Sequence, residues 1–129
     1  MAGAVQTQGL TEFRQGAARF EAVAVAKLRL RALSIAEGIR NDTAETYRSR
    51  GWQLANEVFV SEDSKAGRFD VFIKPAPPRP ENLPLWHEFG TVKMLARPAF
   101  QPAVRRARAR YVPEMNAAIQ EAFDETVGR

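Results

Sequence analysis

Three groups of side chains in this sequence could do chemistry, and each stops short of a catalytic set. His87 is the only histidine, and Glu88 follows it directly. A His–Glu pair is raw material for a general base or a metal site. Adjacent side chains diverge on a helix, however, and there is no second histidine and no cysteine to complete a metal centre. Ser34, Ser49, Ser61 and Ser64 lack the glycine-flanked elbow of a nucleophilic serine. No glycine-rich loop is present to cradle a phosphate. Arg105, Arg106, Arg108 and Arg110 could grip phosphates without regard to sequence. A nucleic-acid reader usually adds groove-entering motifs or stacking aromatics, and only Tyr111 is close. These residues predict no enzyme, with no catalytic, cofactor-binding or metal position.

Composition sets the frame around them. The chain has 129 residues, 45% of them hydrophobic and 26% charged, which suits one soluble domain with a single core. Without cysteines it has neither disulfides nor thiolate metal sites, as befits a protein made in a reducing cytoplasm. No secretory pattern opens the chain, and no apolar run approaches the roughly 20 residues that span a bilayer. A soluble, untargeted protein without a membrane partner is expected. The net charge of +4 favours polyanions, but its placement says more. Lys93 to Pro113 carries six cations and no acid, whereas Glu114 to Thr126 carries four acids and no cation. On one helix that order opposes the helix dipole, by roughly 0.3–1 kcal/mol per exposed charge. Such charges are either a solvated, mottled face or are placed for a neighbour.

The elements that position these residues can be read in order. Residues 1–9 are small and polar and predict a flexible N-terminal arm. Thr11 is a candidate N-cap for a helix to about Arg40, with Asn41-Asp42 ending it or capping the next turns up to Ser49. Phe13, Ala17, Phe20, Ala24, Leu28, Ile35 and Ile39 form one apolar stripe, with Arg31 near its centre, where the helix bends or the arginine snorkels. Val23, Leu30 and Leu33 lie off that stripe and predict a subunit interface. Gly51 closes the helical part. Trp52, Leu54, Val58 and Val60 alternate like a strand, 62–67 is a polar connection, and Arg68 to Lys74 is a second strand. The first helix is the natural cover for this hairpin.

Four prolines between Pro75 and Pro80 make residues 75–82 a stiff, extended connector. Leu83 to Phe89 predicts a short helical turn. The last helix begins near Pro98 or Pro102 and ends before Gly128, with a kink or break near Tyr111 because Pro113 costs about 3 kcal/mol inside a helix. The expected fold class is α+β: a long N-terminal helix and a C-terminal helix packed on a small antiparallel sheet built around a β-hairpin. Residues 10–129 form a single domain in this reading. Within 88–102, Gly90 permits a left-handed turn, Thr91 bonds the turn locally, and Phe89 plugs the core beside Trp86. Glu88 pairs with a base, Arg97 being the candidate, or else points at a neighbouring subunit.

The stretch Leu85-Trp86-His87-Glu88-Phe89-Gly90-Thr91, followed by Met94-Leu95-Ala96-Arg97-Pro98-Ala99-Phe100-Gln101-Pro102-Ala103, resembles the signature of a known family. These are the neck or tail-completion (head–tail joining) proteins of long-tailed bacteriophages, the "gene product ten-like" putative tail components. The resemblance is specific over about twenty residues and otherwise rests on element order. It departs at Ala99, where the family carries an aromatic, with Phe100 following. It implies a virion structural protein, assembled in the host bacterial cytoplasm, that forms a homo-oligomeric ring, six-fold to match the tail. Its implied partners are head-closure or adaptor proteins, tail-terminator or tail-tube proteins, and genomic DNA passing through the lumen without sequence recognition. Glu88, Phe89, Gly90, Thr91, Arg97, Pro98, Phe100 and Pro102 would form the structural signature. Arg105, Arg106, Arg108 and Arg110 would face a partner or the DNA channel. The alternatives are a tail-terminator ring in the adjacent tier, or a cytoplasmic basic nucleic-acid-binding protein.

Overall fold

The computed structural model describes residues 2–127, with side chains from Leu10 onward. Its elements are helix α1 (Ala2–Ser49), a 3-10 turn (Gln53–Asn56), strands β1 (Val58–Asp63) and β2 (Arg68–Ile73), the short helix α2 (Leu83–Phe89) and helix α3 (Phe100–Thr126). The fold is α+β. Contacts divide the chain into two compact units. One joins Met1–Arg31 to Pro113–Arg129, and the other is Ala32–Val112. Both long helices contribute to each unit.

Helix α1 is longer than its sequence signals suggest. The backbone is helical from Ala2, so Thr11 lies inside the helix and does not cap it. The residues before it include Gly3, Val5, Thr7 and Gly9, poor helix formers, so intrinsic propensity does not account for the extension. The expected flexible arm falls on residues 1–9, of which Met1 and the side chains of 2–9 lie outside the described residues. The break expected at Asn41-Asp42 is also absent. Asp42 faces outward to Arg106, which donates to it at 2.6–2.7 Å, and its carbonyl accepts from the Thr46 hydroxyl. The side chain that could have stopped the helix is engaged elsewhere. Gly51, at φ +73°, ends the helical run as its type suggests.

In the unit formed by the ends of the long helices, α1 and α3 run antiparallel. Their seam is lined by Ala24, Ala118 and Ala122, all buried. Arg31, the cation in the apolar stripe, reaches across to Glu114 at 2.8 Å and to Glu121, while Lys27 meets Glu125 at 3.1 Å. Three of the four acids of α3, Glu114, Glu121 and Glu125, therefore have partners on α1, while Asp124 accepts from Gln120 of its own helix. An alanine seam allows close approach but buries little area per residue, at roughly 25 cal/mol per Å². Some of the larger side chains of this unit stay outside: Phe13 is 72% exposed and Leu30 60%, while Phe20 and Leu28 are half-buried.

The second unit holds the sheet. Val58 pairs with Ile73 and Val60 with Val71, so one face of the two-stranded hairpin lies against Tyr47 and Ala44 of α1, with Leu54, Ala55 and Ala99 completing the core. Phe59 and Phe72 are opposite one another on the outer face, ring centroids 5.7 Å apart. The strand expected from Trp52 begins only at Val58. Residues 53–56 coil into a 3-10 turn that buries the adjacent Leu54 and Ala55 together, which the alternating faces of a strand would not do. The 75–82 connector is tied to the 3-10 turn and to the residue just before β1 through Arg79, which pairs with Glu57 and bonds Gln53. Helix α3 runs unbroken through Pro113, so of the kink or break expected near Tyr111 the break does not occur. The carbonyl that loses its partner belongs to Ala109, and both residues are exposed, so water can take that bond. The boundary between the two units nevertheless falls at this proline.

Candidate assembly site

The signature stretch is organised by one buried carboxylate. Helix α2 buries Pro84 and Glu88, four residues apart on one face. Glu88, 8% exposed, points at the start of α3. Its Oε1 accepts from the backbone N–H of Ala99 and of Phe100, both at 2.7 Å, and its Oε2 accepts from Gln101 at 3.1 Å. A helix leaves its first donors unsatisfied, and a carboxylate there also meets the positive end of the dipole. Pro102 has no N–H, and Ala103 already bonds back to the Ala99 carbonyl. The opening donors of α3 are thus fully accounted for by one side chain from another element and one proline. The expected Glu88–Arg97 ion pair is not formed: the partners are main-chain N–H groups, which carry no sequence signal.

Arg97 acts differently. Its N–H donates to the His87 carbonyl at 2.6 Å, while its guanidinium lies 5.5 Å from the centre of the Trp52 ring. Arg50, which the sequence did not single out, donates to the carbonyls of Arg97 and Pro98 at 2.6 and 3.0 Å and also sits over Trp52, at 4.9 Å. Trp52 stacks on His87 with centroids 3.9 Å apart. Arg50 follows directly on the end of α1, so it fastens the 97–98 turn to that helix.

This setting explains His87. Burial, then Arg50 and Arg97, lower its pKa below the ordinary 6.5, against a smaller opposing pull from Glu88. A lowered folded-state value means the unfolded chain takes up the proton first. Stability is therefore fully present above about pH 6.5 and is lost as pH falls through that value toward the folded pKa. We expect the melting temperature to drop as pH is lowered from 7.5 to 5.5, and the drop to shrink in His87→Phe. Thermal melts across that range check it. Tyr47, wholly buried beneath the stretch, is pushed up to about 12, mainly by burial and then by the charge of Glu88.

Gly90 takes φ +76° as the sequence suggests. Beyond it Thr91 and Met94 exchange backbone bonds of 2.8 and 3.2 Å, and the Thr91 hydroxyl accepts from the Lys93 N–H. Phe89 does not plug the core: it is 66% exposed, and Trp86 also faces solvent. With Pro84 and Glu88 inward, the 3.6-residue period turns both aromatics out. Phe100 is half-buried. Ala99 is enclosed by the core, so the site of the departure from the family pattern is one where a larger side chain has no room without repacking.

The four arginines of α3 are all exposed. Arg106 is committed to Asp42, whereas Arg105, Arg108 and Arg110 have no ion pair among the described residues. Of the off-stripe residues, Leu30 is open, while Val23 and Leu33 are half-buried. Among the described residues no cluster of three His, Asp or Glu could hold a metal, and no helix is long and apolar enough to cross a membrane. No protein-family model, curated protein or solved structure matches the chain.

Proposed function

We propose that this chain is a non-enzymatic structural subunit at the head–tail junction of a long-tailed bacteriophage. Copies assemble as a ring, six-fold to match the tail, around the channel through which DNA passes. Head-closure or adaptor proteins adjoin one side and tail-terminator or tail-tube proteins the other. The chain acts in the virion after assembly in the host cytoplasm. The observation that carries this reading is apolar surface left uncovered in both units. Phe13 and Leu30 stand out from the helical pair, and Leu85, Phe89, Val92 and Leu95 stand out around the signature turn. Large apolar groups in such concentration mark contact surfaces. The unpaired Arg105, Arg108 and Arg110 supply a positive face suited to acidic neighbours or to DNA backbone in passing.

Negative-stain imaging of the purified full-length protein tests the reading, together with antibody labelling of mature particles. Closed rings and label at the neck are the expected result. A chain that stays dispersed, is missing from particles, and binds DNA tightly with a steep salt slope would instead be a free nucleic-acid-binding protein.

A further inference from the structure

We infer that the turn Thr91–Leu95 of one copy is a knob that seats in the groove beside β2 of a neighbouring copy. The inference rests on the ring reading above and specifies one contact within it. Val92 and Leu95 are 106% and 87% exposed, so this turn presents two apolar side chains to solvent almost without shielding. The turn beneath them is fixed. The Thr91–Met94 bridge closes it and the Arg97 N–H ties it to the His87 carbonyl. A Cβ at Gly90 would lie 2.8 Å from the Met94 carbonyl oxygen, so the backbone packs tightly there. A rigid apolar tip loses little conformational freedom on docking.

The same unit contains a matching recess. A groove of about 510 Å³ is lined by Phe72, Ile73, Leu85, Phe89 and Phe100, with Glu81 among its polar lining. It follows β2, whose outer edge has no strand beside it in the two-stranded sheet. The chain's own knob does not fill it, since Val92 and Leu95 are open to solvent. Charge identifies the occupant. Lys93 lies between the two apolar tips, and neither it nor Glu81 has an ion pair among the described residues. A basic apolar tip and an acid-edged apolar groove on one chain are complementary between copies. Because the two surfaces differ, the contact is heterologous, the type from which a ring is built when the rotation between copies closes.

The test uses full-length protein and sedimentation velocity. The knob variant is Val92→Ser with Leu95→Ser, and the groove variant is Leu85→Glu. All three positions are exposed, and circular dichroism checks that both variants fold. Each variant alone is expected to need at least a tenfold higher concentration to assemble. Mixed, they form a one-to-one dimer and nothing larger, because one intact knob meets one intact groove. Lys93→Glu weakens assembly about threefold at low salt, and adding Glu81→Lys restores it. Folded variants that assemble as the unmodified chain does, or a mixture that yields no dimer, overturn the knob and groove while leaving the ring reading intact. An unmodified chain that never assembles overturns both.

Discussion

Glu88→Ala is expected to lower the unfolding free energy by about 3 kcal/mol, the order for losing charge-assisted hydrogen bonds at a buried site. The loss would be read as a fall of about 10 °C in melting temperature for a domain of this size. Three N–H groups, those of Ala99, Phe100 and Gln101, lose their acceptor at once. Ala99 and Glu88 are both buried, so water reaches that position poorly. Glu88→Gln is the sharper variant, since it keeps the size and one acceptor oxygen. It removes the charge that faces the α3 dipole and turns an NH₂ group toward one of the donors. It should recover less than half of the loss. Arg97→Ala should change stability far less, because its N–H bond to His87 belongs to the main chain and survives the substitution. A Glu88–Arg97 ion pair would make the two substitutions comparably costly. Chemical denaturation of the three variants separates these cases.

Gly90→Ala is expected to cost about 2–4 kcal/mol, from a backbone conformation close to glycine-only and from contact with neighbouring main chain. At φ +76° and ψ 176° the residue lies outside the ordinary left-handed well. An added Cβ would meet the Met94 oxygen at 2.8 Å and the Ala96 nitrogen at 2.9 Å, and neither is the movable end of a side chain. Relief requires the 91–96 turn to swing away. Thermal denaturation gives the stability loss, and weakened assembly at temperatures where the variant remains folded gives the displacement of the turn. Gly16→Ala serves as the contrast: nothing lies within 4 Å of its added Cβ, and helix propensity favours the change.

Much of this architecture was legible because local chemistry and tertiary structure agree. Helix α2 spans Leu83–Phe89 as expected, the hairpin follows the alternation of Phe69, Val71 and Ile73, and Gly90 and Pro102 occupy positions their types suit. The failures share a cause. Glu88 reads as half of an ion pair or as a group aimed at a neighbouring subunit, but its donors are main-chain groups 11 to 13 residues away, common to every residue type except proline. Phe89 reads as a core residue because it is aromatic. The period of α2 puts Pro84 and Glu88 there instead, and a buried glutamate is hard to anticipate before its partners are known. Arg50 carried no signal, since two carbonyls at residues 97 and 98 are its targets. Pro113 shows the converse: its local penalty is legible in the sequence, and an exposed Ala109 carbonyl lets the helix continue.

Arg31 lies between these extremes. Its place in the apolar stripe was visible, and so were the acids of α3, but their meeting depends on the antiparallel run of the two helices. With Arg31 and Lys27 engaged, Glu114, Glu121 and Glu125 need no outside neighbour to balance their charge. The uncovered groups that remain are mostly apolar, together with the arginines at 105, 108 and 110. They keep the surface argument in place after the ion pairs are assigned.

Sedimentation equilibrium of the purified full-length chain over a wide concentration range bears most directly on the central claim. A single closed species, many times the 14.4 kDa of one chain and constant in mass once formed, is the result expected of a ring subunit. A homogeneous 14.4 kDa particle at every concentration would contradict it, because the apolar side chains around residues 85–95 would then have no copy to cover them.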